Sequence, residues 1–155
     1  VKGNDQVIEK LNALLSDELA AINQYILHAE ICENWMYGKL HDAMKKRAID
    51  EMKHAEILIA RILFMEGRPV VSQLGAIHIG IDVEDIHKKD WESEHKTIGD
   101  YNAAIKISQD AGDSGTREIL ESIIADEETH IDWIEGQRDQ IAQMGVATYL
   151  GRQID

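Results

Sequence analysis

The chain is poor in residues that staple or interrupt a fold: its 155 positions include one cysteine, one proline and one phenylalanine. A lone Cys32 excludes an internal disulfide and fits a reducing, cytoplasmic setting. With Pro69 as the only proline, nothing breaks a long helix elsewhere. No run approaches the ~20 consecutive apolar residues of a membrane span, and the opening Val1-Lys-Gly-Asn-Asp5 has no apolar signal core. Basic residues are scarce too, 16 Lys and Arg against 29 Asp and Glu, a formal charge of −13. Nucleic-acid backbones and anionic membranes are therefore poor partners, whereas cations are drawn to such a surface.

What the chain has in quantity is a 3.6-residue apolar period. It predicts an all-α single domain over residues 1–155. Helix α1 covers about 5–33 after Asn4 or Asp5 as cap, and α2 covers 39–66, ended by Gly67. A crossover loop takes 67–82. Helix α3 follows over 83–111 with Asp82 as cap, then α4 over 114–143 and a short α5 over 146–153. The 16-residue loop reaches ~50 Å at ~3.3 Å per residue, more than the ~42 Å of a 28-residue helix. It can therefore run the bundle's length and set α2 parallel to α3, relating α1–α2 to α3–α4 by a pseudo-twofold axis.

Each half carries the same kit at the same spacing. Glu18 is followed 33 residues later by Glu51 in Glu51-Met-Lys-His54, and Glu94 is followed 33 residues later by Glu127 in Glu127-Glu-Thr-His130. Residues at i and i+3 share one helix face, so each Glu-x-x-His aims a carboxylate and an imidazole the same way. All four glutamates interrupt apolar stripes, where uncompensated charge is costly. Two divalent cations would compensate it. Two other Glu-x-x-His runs, Glu84–His87 and Glu92–His95, lack the hairpin spacing and are expected to be solvated helix charges. No Lys or Arg occupies the centre of the stripes; Arg47, one turn before Glu51, is the nearest exception.

The runs Leu19-Ala-Ala-Ile-Asn-Gln-Tyr25, Asp50-Glu-Met-Lys-His-Ala55, Arg61-Ile-Leu-Phe-Met-Glu-Gly67, Asp126-Glu-Glu128 and His130-Ile-Asp-Trp133 resemble the bacterioferritins over essentially the full length. The resemblance implies a ferritin-like four-helix bundle with a long crossover and a short C-terminal fifth helix. It implies a ferroxidase: an iron-storage protein that oxidises Fe(II) with O2 or H2O2 at a di-iron site. Glu18 and Glu94 would be terminal ligands, Glu51 and Glu127 bridges, and His54 and His130 the imidazole ligands. It further implies a 24-subunit shell of twofold dimers, a ferric mineral, a ferredoxin-type reductant, and a haem of b type or related between two copies of Met52. Leu19, Ile22 and Ile59 are expected to join Met52 in an apolar outer strip.

Two departures stand out. Lys46 occupies the place of a histidine that in some members binds inner-surface iron with the residue matching Asp50, so that site is not expected here. Arg47 stands where an acidic residue is usual near the iron entrance. Tyr25 and Trp133 match positions proposed to supply electrons. The alternative function is peroxide detoxification by a di-iron or di-manganese bundle without storage. The absence of any Cys-x-x-Cys argues against its rubrerythrin form.

Overall fold

The computed structural model covers Val1–Asp155 and contains five helices and no strand: α1 (Asp5–Asn34), α2 (Gly38–Phe64), α3 (Val83–Asp110), α4 (Ser114–Met144) and α5 (Val146–Gly151). The long helices begin where side chains can satisfy orphan amides. Asn4 accepts from the amides of Gln6 and Val7, Asp82 from that of Asp85, and Asp113 from that of Thr116. Helix α2 has no such cap. Its start is tied down by the C-terminal tail, the Lys39 amide donating to the Gln153 carbonyl at 3.1 Å.

At two helix ends a residue other than glycine makes the left-handed step, one of them in place of the expected stop at Gly67. Glu66, at φ 61°, makes the left-handed step that ends α2, and Met36, at φ 66°, makes the one between α1 and α2. In each case a following amide caps a freed carbonyl, Gly67 bonding Ile62 and Tyr37 bonding Cys32 at 2.9 Å. These bonds offset the strain of a side chain at positive φ. Helix α5 stops at Gly151, two residues short of the expected end.

The crossover runs alongside α1, and α1 itself supplies its anchors. Asn12 donates to the Arg68 carbonyl and accepts from the Val70 amide; Ser16 O accepts from Gly75, Gln24 Oε1 from His78, and His28 Nε2 from Gly80. Rising loop numbers meet rising α1 numbers, so the loop travels with α1 and against α2. That direction makes α3 antiparallel to α1. A Cβ on Gly80 would lie 2.4 Å from the Ile86 amide nitrogen, so only glycine lets the loop close onto α3.

The apolar interior is split into two main clusters and a small one of Ala21, Tyr25 and Ala48. The larger includes Val7, Leu11, Leu14, Leu15, Leu58, Ile62, Tyr101, Ala104, Leu120 and Ile123. The second joins Cys32, Leu40, Met44, Ile86 and Tyr149 at the other end. The belt between them is polar.

Candidate metal centre

All four long helices contribute to that belt. Glu18 of α1, Glu51 and His54 of α2, Glu94 of α3, and Glu127 and His130 of α4 converge at mid-bundle. Five of the six are almost fully buried, and His130 reaches 9% exposure. They fall into two groups, Glu18–Glu51–His54–Glu127 and Glu51–Glu94–Glu127–His130, which share Glu51 and Glu127. Within each group one donor atom per residue lies within 4.8 Å of all the others. His54 Nδ1 stands 2.8 Å from Glu127 Oε1 and 3.6 Å from Glu18 Oε2; His130 Nδ1 stands 3.0 Å from Glu51 Oε1 and 3.6 Å from Glu94 Oε1.

A second layer orients the first. Tyr101 donates to Glu18 Oε1 at 2.8 Å, and Tyr25 donates to Glu94 Oε1. His54 Nε2 lies 2.8 Å from Asp126, and His130 Nε2 lies 3.0 Å from Asp50. With its Nε2–H given to a carboxylate, each imidazole turns an Nδ1 lone pair to the centre, the tautomer a metal ligand needs. Every pair is related by 76 positions: Glu18 and Glu94, Tyr25 and Tyr101, Asp50 and Asp126, Glu51 and Glu127, His54 and His130. Each outer residue serves the opposite half, which ties the two hairpins together.

The polar accounting fits a cation. Seven buried atoms at the centre have no hydrogen-bond partner: Glu18 Oε2, Glu51 Oε1, His54 Nδ1, Glu94 Oε2, both Glu127 oxygens and His130 Nδ1. Desolvation on this scale is rarely tolerated without a ligand. Burial, then the neighbouring carboxylates, pushes Glu51 and Glu127 well above the usual carboxylate range. Burial also opposes charge on Glu94, but the adjacent Glu127 and His130 and the Tyr25 hydroxyl outweigh it and lower its pKa. The same carboxylates, against burial, raise His54 and His130. Without a cation, protons therefore supply the counter-charge. Oxygen-rich ligation with two imidazoles suits iron or manganese.

A profile of the ferritin-like domain family matches residues 8–144. The chain is 38% identical to a bacterioferritin of Rhodobacter capsulatus over 158 aligned positions, covering all of this chain and 98% of the relative. It is 37% identical to one from Streptomyces coelicolor, covering 100% and 93%, and 36% identical to one from Brucella melitensis, covering 96% and 92%. The chain belongs to the bacterioferritin family.

The other residues singled out in the bacterioferritin comparison fall as follows. Met52 is 45% exposed and points away from the centre into a groove of about 200 Å³ between α1 and α2. Ile22, Ile26, Ala48 and Ile49 line it, with Lys45 and Glu30 at its rim. Leu19 and Ile59 do not line this groove; like Ile22, they are half-buried and pack against the large core cluster. Lys46 is exposed, and Asp50 is engaged by His130. Arg47 is 3% exposed, bonds Asp90 at 3.0 Å, and lies between the rings of Tyr25 and Trp133, 4.8 and 5.1 Å from their centroids, where it also lines a cavity beside His130.

His87 also departs from expectation. It is fully buried, because α5 folds over it and Tyr149 Oη lies 2.9 Å from its Nε2. His95 does stay exposed, stacked on Trp91. Tyr101 and Asp126 were the ligand-orienting residues least visible beforehand. The signal for them was the repeat of Tyr25 and Asp50 at the interval separating the glutamates.

Proposed function

We propose that the protein stores iron, taking up Fe(II) as substrate and oxidising it at the mid-bundle centre. Glu51 and Glu127 would be shared by two irons, Glu18 and Glu94 would each hold one of them, and His54 and His130 would give one imidazole to each. When bound, the metal pair supplies the one-electron couples that together reduce O2 or H2O2. The chain's own part is electrostatic and positional. Tyr101 and Tyr25 hold the terminal carboxylates in register, and Asp126 and Asp50 hold the imidazoles. Protons kept on Glu51 and Glu127 in the absence of cations leave as the cations arrive. The reading is carried by the seven unpartnered polar atoms, all on six residues and all facing one centre.

Storage then places the ferric product inside a 24-subunit cytoplasmic shell, reduced for release through a ferredoxin-type donor. Two copies of Met52 would hold a haem of b type or a related kind. The groove beside Met52 is open and mostly apolar, with the Met52 thioether within it and Lys45 available to a propionate. A thioether pair favours ferrous haem, as an electron inlet requires.

Stopped-flow addition of Fe(II) to metal-free protein, combined with the mass of the assembly, tests this reading. The expected result is a rapid phase saturating at two Fe per chain in a shell of 24 copies, followed by slower mineral growth. Rapid peroxide consumption by a dimer that accumulates no iron would replace storage with the detoxification alternative.

A further inference from the structure

The crossover is held to α1 in two different ways. Its first half is anchored on groups that do not titrate: Asn12 Oδ1 accepts from the Val70 amide at 2.9 Å, and the Ser16 carbonyl accepts from the Gly75 amide at 3.0 Å. Its second half is anchored on the side chains of a buried polar cluster. Gln24 Oε1 accepts from the His78 amide at 3.1 Å, and His28 Nε2 accepts from the Gly80 amide at 3.0 Å. Both anchoring side chains are buried, His28 completely.

These contacts fix the protonation of His28. Its Nδ1 lies 2.8 Å from Asp90 Oδ1, so the ring donates there and keeps a lone pair on Nε2 for Gly80. The imidazole that holds the loop is therefore the neutral one. A second proton would go to Nε2 and set an N–H against the Gly80 N–H, which turns a hydrogen bond into a repulsion. Gly80 has little room to adjust in place, because the loop is already pressed onto the Ile86 backbone of α3.

Other charged groups surround the ring. Asp90 and His87 act on it from α3, Arg47 reaches the same Asp90 carboxylate from α2, and Cys32 lies one turn along α1. Asp90 would attract a second proton, but it already accepts from Gln24 and Arg47. With the loop in place, Nε2 is occupied; with the loop detached, Nε2 is open to water. The held loop thus excludes a proton that the detached loop binds, and acidification shifts the balance toward detachment.

We propose that His28 is a proton-operated latch on the crossover, which holds residues 78–80 against α1 while neutral and lets them go on taking a second proton. The latch bears on the outer surface. Gly80 and Ile81 wall a groove of about 490 Å³ together with Leu27, Ile31 and Trp35, and Ile81 is 83% exposed at its edge. Opening the latch dismantles that wall while the Asn12 and Ser16 anchors keep the rest of the loop in place.

Hydrogen exchange of the assembled protein, read by mass spectrometry and corrected for the intrinsic pH dependence of exchange, tests the latch. Peptides separate residues 68–75 from 76–80. On going from about pH 7 to about pH 5, the 76–80 segment should lose about tenfold or more in protection, whereas 68–75 should keep its own. His28→Gln places an amide oxygen close to the position of Nε2, an acceptor that does not titrate, and should keep 76–80 protected at both pH values. His28→Asn can still donate to Asp90 but offers Gly80 nothing, and should leave 76–80 unprotected at both. Unchanged protection of 76–80 in the wild type at the lower pH, a parallel loss in both segments, or the same acid-induced loss in folded His28→Gln would overturn the proposal. The contrast between the two wild-type segments decides the matter even if neither variant folds.

Discussion

Asp50 Oδ2 stands 3.0 Å from His130 Nε2, and the carboxylate thereby holds the imidazole of the opposite hairpin. This engagement gives Asp50 an orienting task in a chain where Lys46 removes the neighbouring histidine. Asp50→Asn should weaken metal binding at the Glu94–His130 position by roughly 10–100-fold and leave the Glu18–His54 position nearly unchanged. Co(II) titration of the variant measures both. An ordered iron bound directly by Asp50 in soaked crystals would contradict the assignment.

Glu127 is common to both ligand groups, and neither of its oxygens has a hydrogen-bond partner. Glu127→Ala should abolish rapid Fe(II) oxidation with the helical fold retained, because a less charged interior is no harder to bury. Stopped-flow absorbance and circular dichroism separate the two effects. Oxidation at the wild-type initial rate would remove Glu127 from the centre.

Met52 faces outward, so its substitution should separate haem from iron chemistry. Met52→Leu is expected to lose haem, keep rapid Fe(II) oxidation and slow the reductive release of stored iron. The Soret spectrum of purified protein is the direct check. Stoichiometric haem with an unchanged spectrum in the variant would sink the ligand assignment.

Cation loading should release protons. Burial and like charge raise Glu51 and Glu127, and the carboxylates raise His54 and His130. These groups hold protons that a metal must displace, so affinity should fall as pH falls. Calorimetry in buffers of different ionisation enthalpy counts the released protons. Binding heats independent of buffer would refute the displacement.

His87 provides a stability signature away from the metal. Burial lowers its pKa from 6.5 to about 4. Between those values the unfolded chain binds a proton that the folded chain refuses, so stability rises with pH across that window. The contribution is complete above about pH 6.5 and lost toward pH 4, at most about 3 kcal/mol. Denaturant unfolding of His87→Gln should show a shallower slope over this range than the parent. Identical slopes would show that His87 is not the group titrating.

Much of the centre was legible in the linear chain because helices translate spacing into direction. An i, i+3 interval fixes that Glu51 and His54 share a face, and equal 33-residue intervals place paired glutamates at one height in each hairpin. The caps Asn4 and Asp82 were readable for the same reason, since a cap is a local bond.

Contacts between distant segments were decided only by tertiary structure. Arg47 is charged and lies one turn from Glu51, yet its burial follows from Asp90 on α3 and two aromatic rings from α1 and α4. His87 looked like a solvated helix residue until α5 folded over it. Leu19, Ile22 and Ile59 share apolar character and all pack half-buried against the large core cluster, yet only Ile22 also lines the groove beside Met52. The periodicity of a helix determines which residues lie together on it. Which of its faces is covered, and by what, is settled by long-range packing that balances buried charge and apolar area across the whole bundle.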